Sequence, residues 1–167
     1  MKIALWIVLL IPYILAHLLA YPLAPIIALL DEQTAKELFW WFLTPDNPMT
    51  GDAGHELRWA GKPVYFKKVA WLWRNRAYGF MVNSLMRAKS GGMILTQGNP
   101  EVRNSPTLIE GTVIRYTPNG YWQFYLVKRS FKNKCLRVNL GWKLWDAMDR
   151  PLFGQYVFSV NPLMGIN

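Results

Sequence analysis

The sequence predicts an α+β protein with an N-terminal transmembrane helix, short helices, and then a C-terminal antiparallel sheet of about four strands. Three observations predict it. No charged side chain lies between Ile3 and Leu30, across the run IALWIVLLIPYILAHLLAYPLAPIIALL. Residues 34–43 and 62–80 hold aromatic and apolar side chains in helix-like stretches on either side of a turn-rich loop. From Leu108 onward the apolar period becomes two, the repeat of a strand with distinct faces.

The first run reads as an uncleaved membrane anchor. A polar-faced surface helix would carry a charge every turn, and none occurs here. A signal peptide wants small residues before its cut; Leu18-x-Ala20 has a large one, and Ala24 is followed by Pro25. As one straight helix the run would be roughly 42 Å long, against a hydrocarbon core of roughly 30 Å. Pro22 and Pro25 are expected to break it near Tyr21, because proline removes a helical N–H and restricts the residue before it. The expectation is therefore one spanning helix over about residues 3–21, kinked at Pro12, with Tyr21–Leu30 at the interface or bent back. His17 is the one ionisable group inside and reads as a neutral histidine. The alternative is a helix buried between subunits, as in a virus particle.

The chain has 167 residues, so one small domain remains beyond the anchor. The organisation read from sequence is an anchor at 1–30, a short helix and acidic Pro/Gly loop at 31–61, and a small α+β domain at 62–167 continuous with 31–61. On that reading, removal of residues 1–30 leaves a folded soluble domain. Nineteen basic residues against ten acidic ones give a net charge of +9. Residues 31–56 hold six acids and Lys36 alone, whereas residues 57–89 hold eight basic residues and no acid. The single cysteine, Cys135, excludes an internal disulfide framework. It reads as packing, since a nucleophile wants a nearby base and no histidine follows His55.

Thr34–Leu43 reads as a short aromatic helix whose Trp40 and Trp41 suit a membrane–water boundary. The loop TPDNPMTGDAGHE, residues 44–56, gathers Asp46, Asn47, Asp52, His55 and Glu56. Oxygen ligands at short spacing are what a hard cation needs, but this spacing fits no calcium loop. These residues read as turn formers and helix caps, and the sequence calls for no cofactor. In KPVYFKKVAWLWRNRAYGF, residues 62–80, Pro63 suits a helix start. Tyr65, Val69, Leu72 and Trp73 fall on one side at helical spacing, with Lys67, Lys68, Arg74 and Arg76 at more polar positions. This segment packs into a core or lies on anionic lipid, with Lys67, Lys68, Arg74 and Arg76 at phosphates and Trp71 or Trp73 at the interface. Nucleic acid ranks last as a partner, because no binding signature accompanies the basic residues.

Residues 81–107 read as two turns, Ser90-Gly91-Gly92 and Gln97-Gly98-Asn99-Pro100, around a short strand at Met93–Thr96. Gly91-Gly92 opens no phosphate loop, because no second glycine with Lys-Ser/Thr follows. Residues 108–117 and 121–129 flank Pro118-Asn119-Gly120, which suits a type I turn followed by a left-handed glycine. After a basic turn at 130–134, Leu136, Val138, Leu140 and Trp142 alternate with Arg137, Asn139 and Lys143, which predicts one buried and one wet face. A last strand, Gln155–Val160, is expected to end at Asn161-Pro162.

WLWRNRAYGF (71–80), NLGWKL (139–144) and YVFSVNPL (156–163) together resemble a widespread family of small tailed-bacteriophage proteins of unknown function. The loop TPDNPMTGD (44–52) resembles that family's acidic Pro/Gly loop. Relatives commonly carry proline where this chain has Arg76. The resemblance covers most of residues 40–163 and implies a phage origin, with no catalytic residues to carry over. The reading that follows is a membrane-anchored phage accessory protein, a binding module at the host inner membrane. Its implied partners are membrane lipid and host envelope or phage proteins. Two orientation cues disagree: Lys2 and the amino terminus, facing only Lys36, favour a cytoplasmic N-terminus, whereas the eight basic residues of 57–89 favour a cytoplasmic domain, and the reading takes the latter. The alternative is a virion component with an apolar N-terminus. An enzyme on an envelope sugar or lipid is the third class, and its evident polar residues would be Asp46, Asp52, His55 and Glu56.

Overall fold

The apolar run forms one helix, α1 (Ile3–Ile27), in a computed structural model that describes residues 1–83, 87–88, 93–144 and 154–166. The expected break at Pro22 and Pro25 does not occur, and all three prolines lie inside the helix. Pro25 has no N–H to give the carbonyl of Tyr21, four residues before it. The indole Nε1–H of Trp73 donates to that oxygen at 3.0 Å instead. A helix carries an interior proline when another donor satisfies the freed carbonyl, and here the donor comes from far along the chain. The segment after Tyr21 continues the helix to Ile27 instead of bending back, and its Ala24, Ile27 and Ala28 are buried.

The contacts divide the chain into two compact units, residues 8–86 and residues 1–7 with 87–167. In the first unit, α1 is followed by α2 (Glu32–Phe39), a 3-10 turn at Trp40–Phe42, α3 (Ala53–Arg58), α4 (Val64–Arg74) and α5 (Tyr78–Asn83). Asp31 caps α2, accepting from the N–H of Thr34 at 2.9 Å, and Asp52 caps α3, accepting from that of His55 at 2.7 Å. Such caps satisfy N–H groups that the helix itself leaves open. Ala20, Ala24, Ile27 and Ala28 join Ala35, Phe42, Leu43, Met49, Val69, Leu72 and Ala77 in one apolar core. The stretch read as one helical segment over 62–80 divides at Asn75–Ala77, where Ala77 takes φ +51°. Beyond it Gly79 lies so close to the carbonyls of Trp40 and Leu43 that a β-carbon would collide with both.

The second unit is a six-stranded antiparallel sheet in the order β1-β6-β5-β4-β3-β2. Its strands are β1 (Arg87–Ala88), β2 (Leu95–Gly98), β3 (Gly111–Tyr116), β4 (Trp122–Phe131), β5 (Lys134–Lys143) and β6 (Gly154–Gly165). Five of them make the C-terminal sheet, and β1 adds two residues to the edge at β6. The β3–β4 hairpin turns as its sequence predicts: the N–H of Gly120, at φ +89°, donates to the Thr117 carbonyl at 2.9 Å. The strand expected at Met93–Thr96 lies at Leu95–Gly98, so Gln97 and Gly98 are strand rather than turn. The expected Ser90-Gly91-Gly92 turn lies outside the described residues. β6 runs past Asn161-Pro162 to Gly165, with the register shifting between Cys135 and Arg137 on its partner. A bulge accommodates a proline that cannot donate to the ladder.

Which face is covered differs from the sequence expectation. Asn139 is buried, whereas Leu136, Val138 and Leu140 are half-buried and Trp142 alone of the four apolar residues is buried. Register places Val113, Gln123, Tyr125, Val127 and Asn139 on one face, and Val102, Leu108, Met164 and Ile166 pack over part of it. Its buried amides satisfy each other. Gln123 Nε2 donates to Asn139 Oδ1 at 3.0 Å, while Gln123 Oε1 accepts from the N–H of Leu144 at 3.1 Å. The opposite face, with Ile114, Trp122, Phe124, Leu140 and Phe158, is apolar and only partly covered.

Candidate functional site

The acidic loop serves as local structure. Asp52 caps α3, and its neighbour His55 is fully buried. His55 Nε2 lies 3.0 Å from the Lys67 carbonyl, which only accepts, so the ring donates from that nitrogen. The imidazole meets the Trp71 ring edge-on at 5.1 Å and stacks on Trp59 at 5.9 Å. Glu56 forms an ion pair with Lys67 at 2.8 Å. The Lys67 ammonium and the Thr50 hydroxyl hold its carboxyl below the usual carboxylate value. Asp46 is exposed, and the Asn47 carbonyl accepts from the Thr44 hydroxyl at 3.1 Å. Asp46, Asp52, His55 and Glu56 are thus not gathered on one centre. Among the described residues no group of three His, Cys, Asp or Glu side chains is placed to hold a metal ion.

The basic, tryptophan-rich segment divides between interior and surface. Lys68 Nζ donates to the Leu30 carbonyl at 2.9 Å, placing a cation just beyond the C-terminus of α1, where carbonyls lack helical partners. Trp71 is buried and donates to the Thr44 hydroxyl at 3.1 Å. Lys67 is held by Glu56. Trp73 and Arg74 are exposed and Arg76 is half-buried. Arg74 lies over the Trp71 ring, with its guanidinium carbon 5.5 Å from the centroid. Arg76 lies 5.1 Å over the Tyr21 ring and donates to the Trp73 carbonyl at 2.9 Å. Trp40 and Trp41 meet edge to face at 5.6 Å, both partly open to solvent. Tyr21 of α1, Trp73 of α4 and Arg76, just beyond the end of α4, therefore form one cluster, with Arg74 at the last position of α4.

Sequence reasoning passed over Trp6, which stood as one more apolar residue of the anchor. Trp6 Nε1 donates to the Val157 carbonyl at 3.2 Å, and the Tyr156 hydroxyl donates to the Trp6 carbonyl at 3.0 Å. Its ring stacks on Tyr156 at 5.9 Å and meets Trp122 edge-on at 5.5 Å. An indole within a long aliphatic run was the available signal.

α1 is long and apolar enough to cross a membrane: its 25 residues rise about 37 Å. Fold and site together define a mixed α/β protein with one apolar N-terminal helix and, among the described residues, no gathered metal centre. The chain belongs to a family of unknown function, DUF7338, whose family model matches residues 1–167. No curated protein and no solved structure matches it.

Proposed function

We propose that this chain is a membrane-anchored binding module, held in a bilayer by α1. The observation that carries the reading is the exposure of that helix. Only three of its 25 residues are buried, while Ile7, Val8, Ile11, Leu15, Leu18 and Leu19 stand open without a charge among them. Burial of such surface in hydrocarbon stabilises by about 25 cal/mol per Å². The exposed indoles of Trp40, Trp41 and Trp73 suit the water boundary of the same bilayer. Arg74 and Arg76 supply cations for anionic headgroups, at roughly 1 kcal/mol each near such a surface. Lys67, Lys68 and Trp71 serve the fold through the bonds described above.

The resemblance of the tryptophan-rich and C-terminal segments to tailed-bacteriophage proteins supports a phage accessory protein in the host inner membrane. The basic residues of 57–89 favour a cytoplasmic domain, with host envelope or phage proteins as its partners. Carbonate washing and ultracentrifugation of expressing cells test the anchor: the chain is expected in the pellet, and recovery in the supernatant overturns the reading. In spheroplasts, residues 31–167 are expected to resist added protease; ready digestion reverses the sidedness.

A further inference from the structure

We propose that the tip of the β4–β5 hairpin docks on the anionic surface of a bilayer, as a lipid contact in addition to α1. The inference rests on the membrane reading and assigns it a surface on the sheet. Residues 128–134 read Lys-Arg-Ser-Phe-Lys-Asn-Lys, and every one of them is exposed. They place four cations in seven residues without an acid. Among the described residues none of the four forms an ion pair with a carboxylate. Glu110 meets Arg129 through its backbone N–H, not through its guanidinium.

Phe131 stands at the turn and is 62% exposed, where hairpin tips ordinarily carry small polar residues. Its backbone pairs with Lys134, and Lys132 follows at φ +47°, so the chain reverses directly after the ring. The Lys132 ammonium lies 5.3 Å over that ring, and Arg129 Nη1 donates to the Lys132 carbonyl at 3.3 Å. β6 brings a second apolar side chain to this end of the sheet. The Ser130 hydroxyl donates to the Pro162 carbonyl at 2.9 Å, and the next residue, Leu163, is 61% exposed. Apolar side chains among cations match a surface that has phosphates outside and acyl chains beneath. A solvated basic turn needs neither Phe131 nor Leu163 in the open. Nucleic acid offers phosphates too, but a strand that stacks its bases wants successive aromatic platforms. Phe131 is the one ring in residues 128–134, and the apolar partner that β6 supplies is aliphatic.

The test uses the full chain in vesicles of phosphatidylcholine alone or mixed with phosphatidylglycerol, with an environment-sensitive fluorophore on one introduced cysteine. Asn133→Cys places it at the tip and keeps the backbone bond from Ile166 to residue 133. Leu15→Cys places it on the open part of α1, and the native chain, whose Cys135 is buried, is the labelling blank. The tip probe is expected to brighten severalfold and shift to the blue only with phosphatidylglycerol, and to lose that response at high salt. The α1 probe is expected to report hydrocarbon in both vesicles. A tip probe indifferent to phosphatidylglycerol beside a buried α1 probe overturns the docking and leaves the anchor standing. Water-like signals from both probes overturn the anchor with it. Replacing the four cations together (Lys128→Gln, Arg129→Gln, Lys132→Gln, Lys134→Gln) is expected to abolish the tip response with the α1 signal unchanged; a retained response overturns the proposal. Phe131→Ser, at an exposed position, is expected to lower the brightening severalfold, and equal brightening overturns insertion of the ring. A tip response to added duplex DNA with none to phosphatidylglycerol overturns the lipid assignment in favour of nucleic acid.

Discussion

The two halves of α1 are built from similar apolar residues and meet different surroundings. From Val8 to Leu19 large aliphatic side chains stand open, including Val8, Ile11, Leu15, Leu18 and Leu19. From Ala20 to Ala28 the helix presents Ala20, Ala24, Ile27 and Ala28 to a protein core. Three of those four are alanines spaced by four, so one stripe of the helix is thin enough for neighbouring elements to approach closely. Hydrophobicity alone does not separate the half that stands open from the half that meets protein. Side-chain size at helical spacing does.

The strongest way to break this comparison is to remove the helix. Deleting residues 1–30 takes away four buried members of the helical core, so the remaining chain is expected to lose cooperative unfolding and to aggregate. The soluble folded domain anticipated from the sequence is replaced by this outcome, checked by circular dichroism and thermal denaturation. A sharper form compares two substitutions in the full chain in detergent. Ala24→Leu overfills the core and is expected to cost about 1–3 kcal/mol. Leu15→Ala, on the open half, is expected to change stability by less than about 0.5 kcal/mol. Equal effects would show that the two halves are not different environments.

A smaller effect tests the repair at Pro25. Trp73→Phe removes the donor to the Tyr21 carbonyl and is expected to cost about 1 kcal/mol. Pro25→Ala restores a backbone N–H to that carbonyl, so Trp73→Phe should cost less in that background, as a double-mutant cycle reads directly. The smallest effect is electrostatic. Glu56 has a folded pKa below its unfolded one, chiefly through its hydrogen bond to Lys67. Its contribution is present above the unfolded pKa and lost as pH falls through the folded one. Unfolding followed from neutral pH into the acid range should therefore show a weakening below the ordinary carboxylate range that Glu56→Gln reduces.

Much of the sheet was legible because its signals are local. Pro118-Asn119-Gly120 marks a turn by backbone preference alone, and alternation over 122–127 sets which side chains share a face. Which face is covered was not legible. Alternation favours the side with Leu136, Val138 and Leu140, yet the buried side carries Gln123 and Asn139, whose amides satisfy each other across strands. The continuity of α1 was hidden for a similar reason, since the donor that replaces the proline N–H belongs to another helix. The tryptophan-rich segment showed its composition but not its allocation. Whether a lysine meets lipid or a helix end depends on partners such as Leu30 and Glu56, which spacing along the segment does not reveal.

The bond between Trp73 and Tyr21 also places the helix on a clock. The two residues are fifty-two positions apart, so a ribosome adds the indole after the carbonyl has already been made. At about 5–20 residues per second, that interval is roughly 3–10 s. During it the nascent chain presents an apolar segment whose Tyr21 carbonyl, left open by Pro25, lacks its partner from Trp73. The arrival of α4 closes the gap. Synthesis order thus separates the moment at which the segment can first be recognised as apolar from the moment at which it becomes a continuous rod.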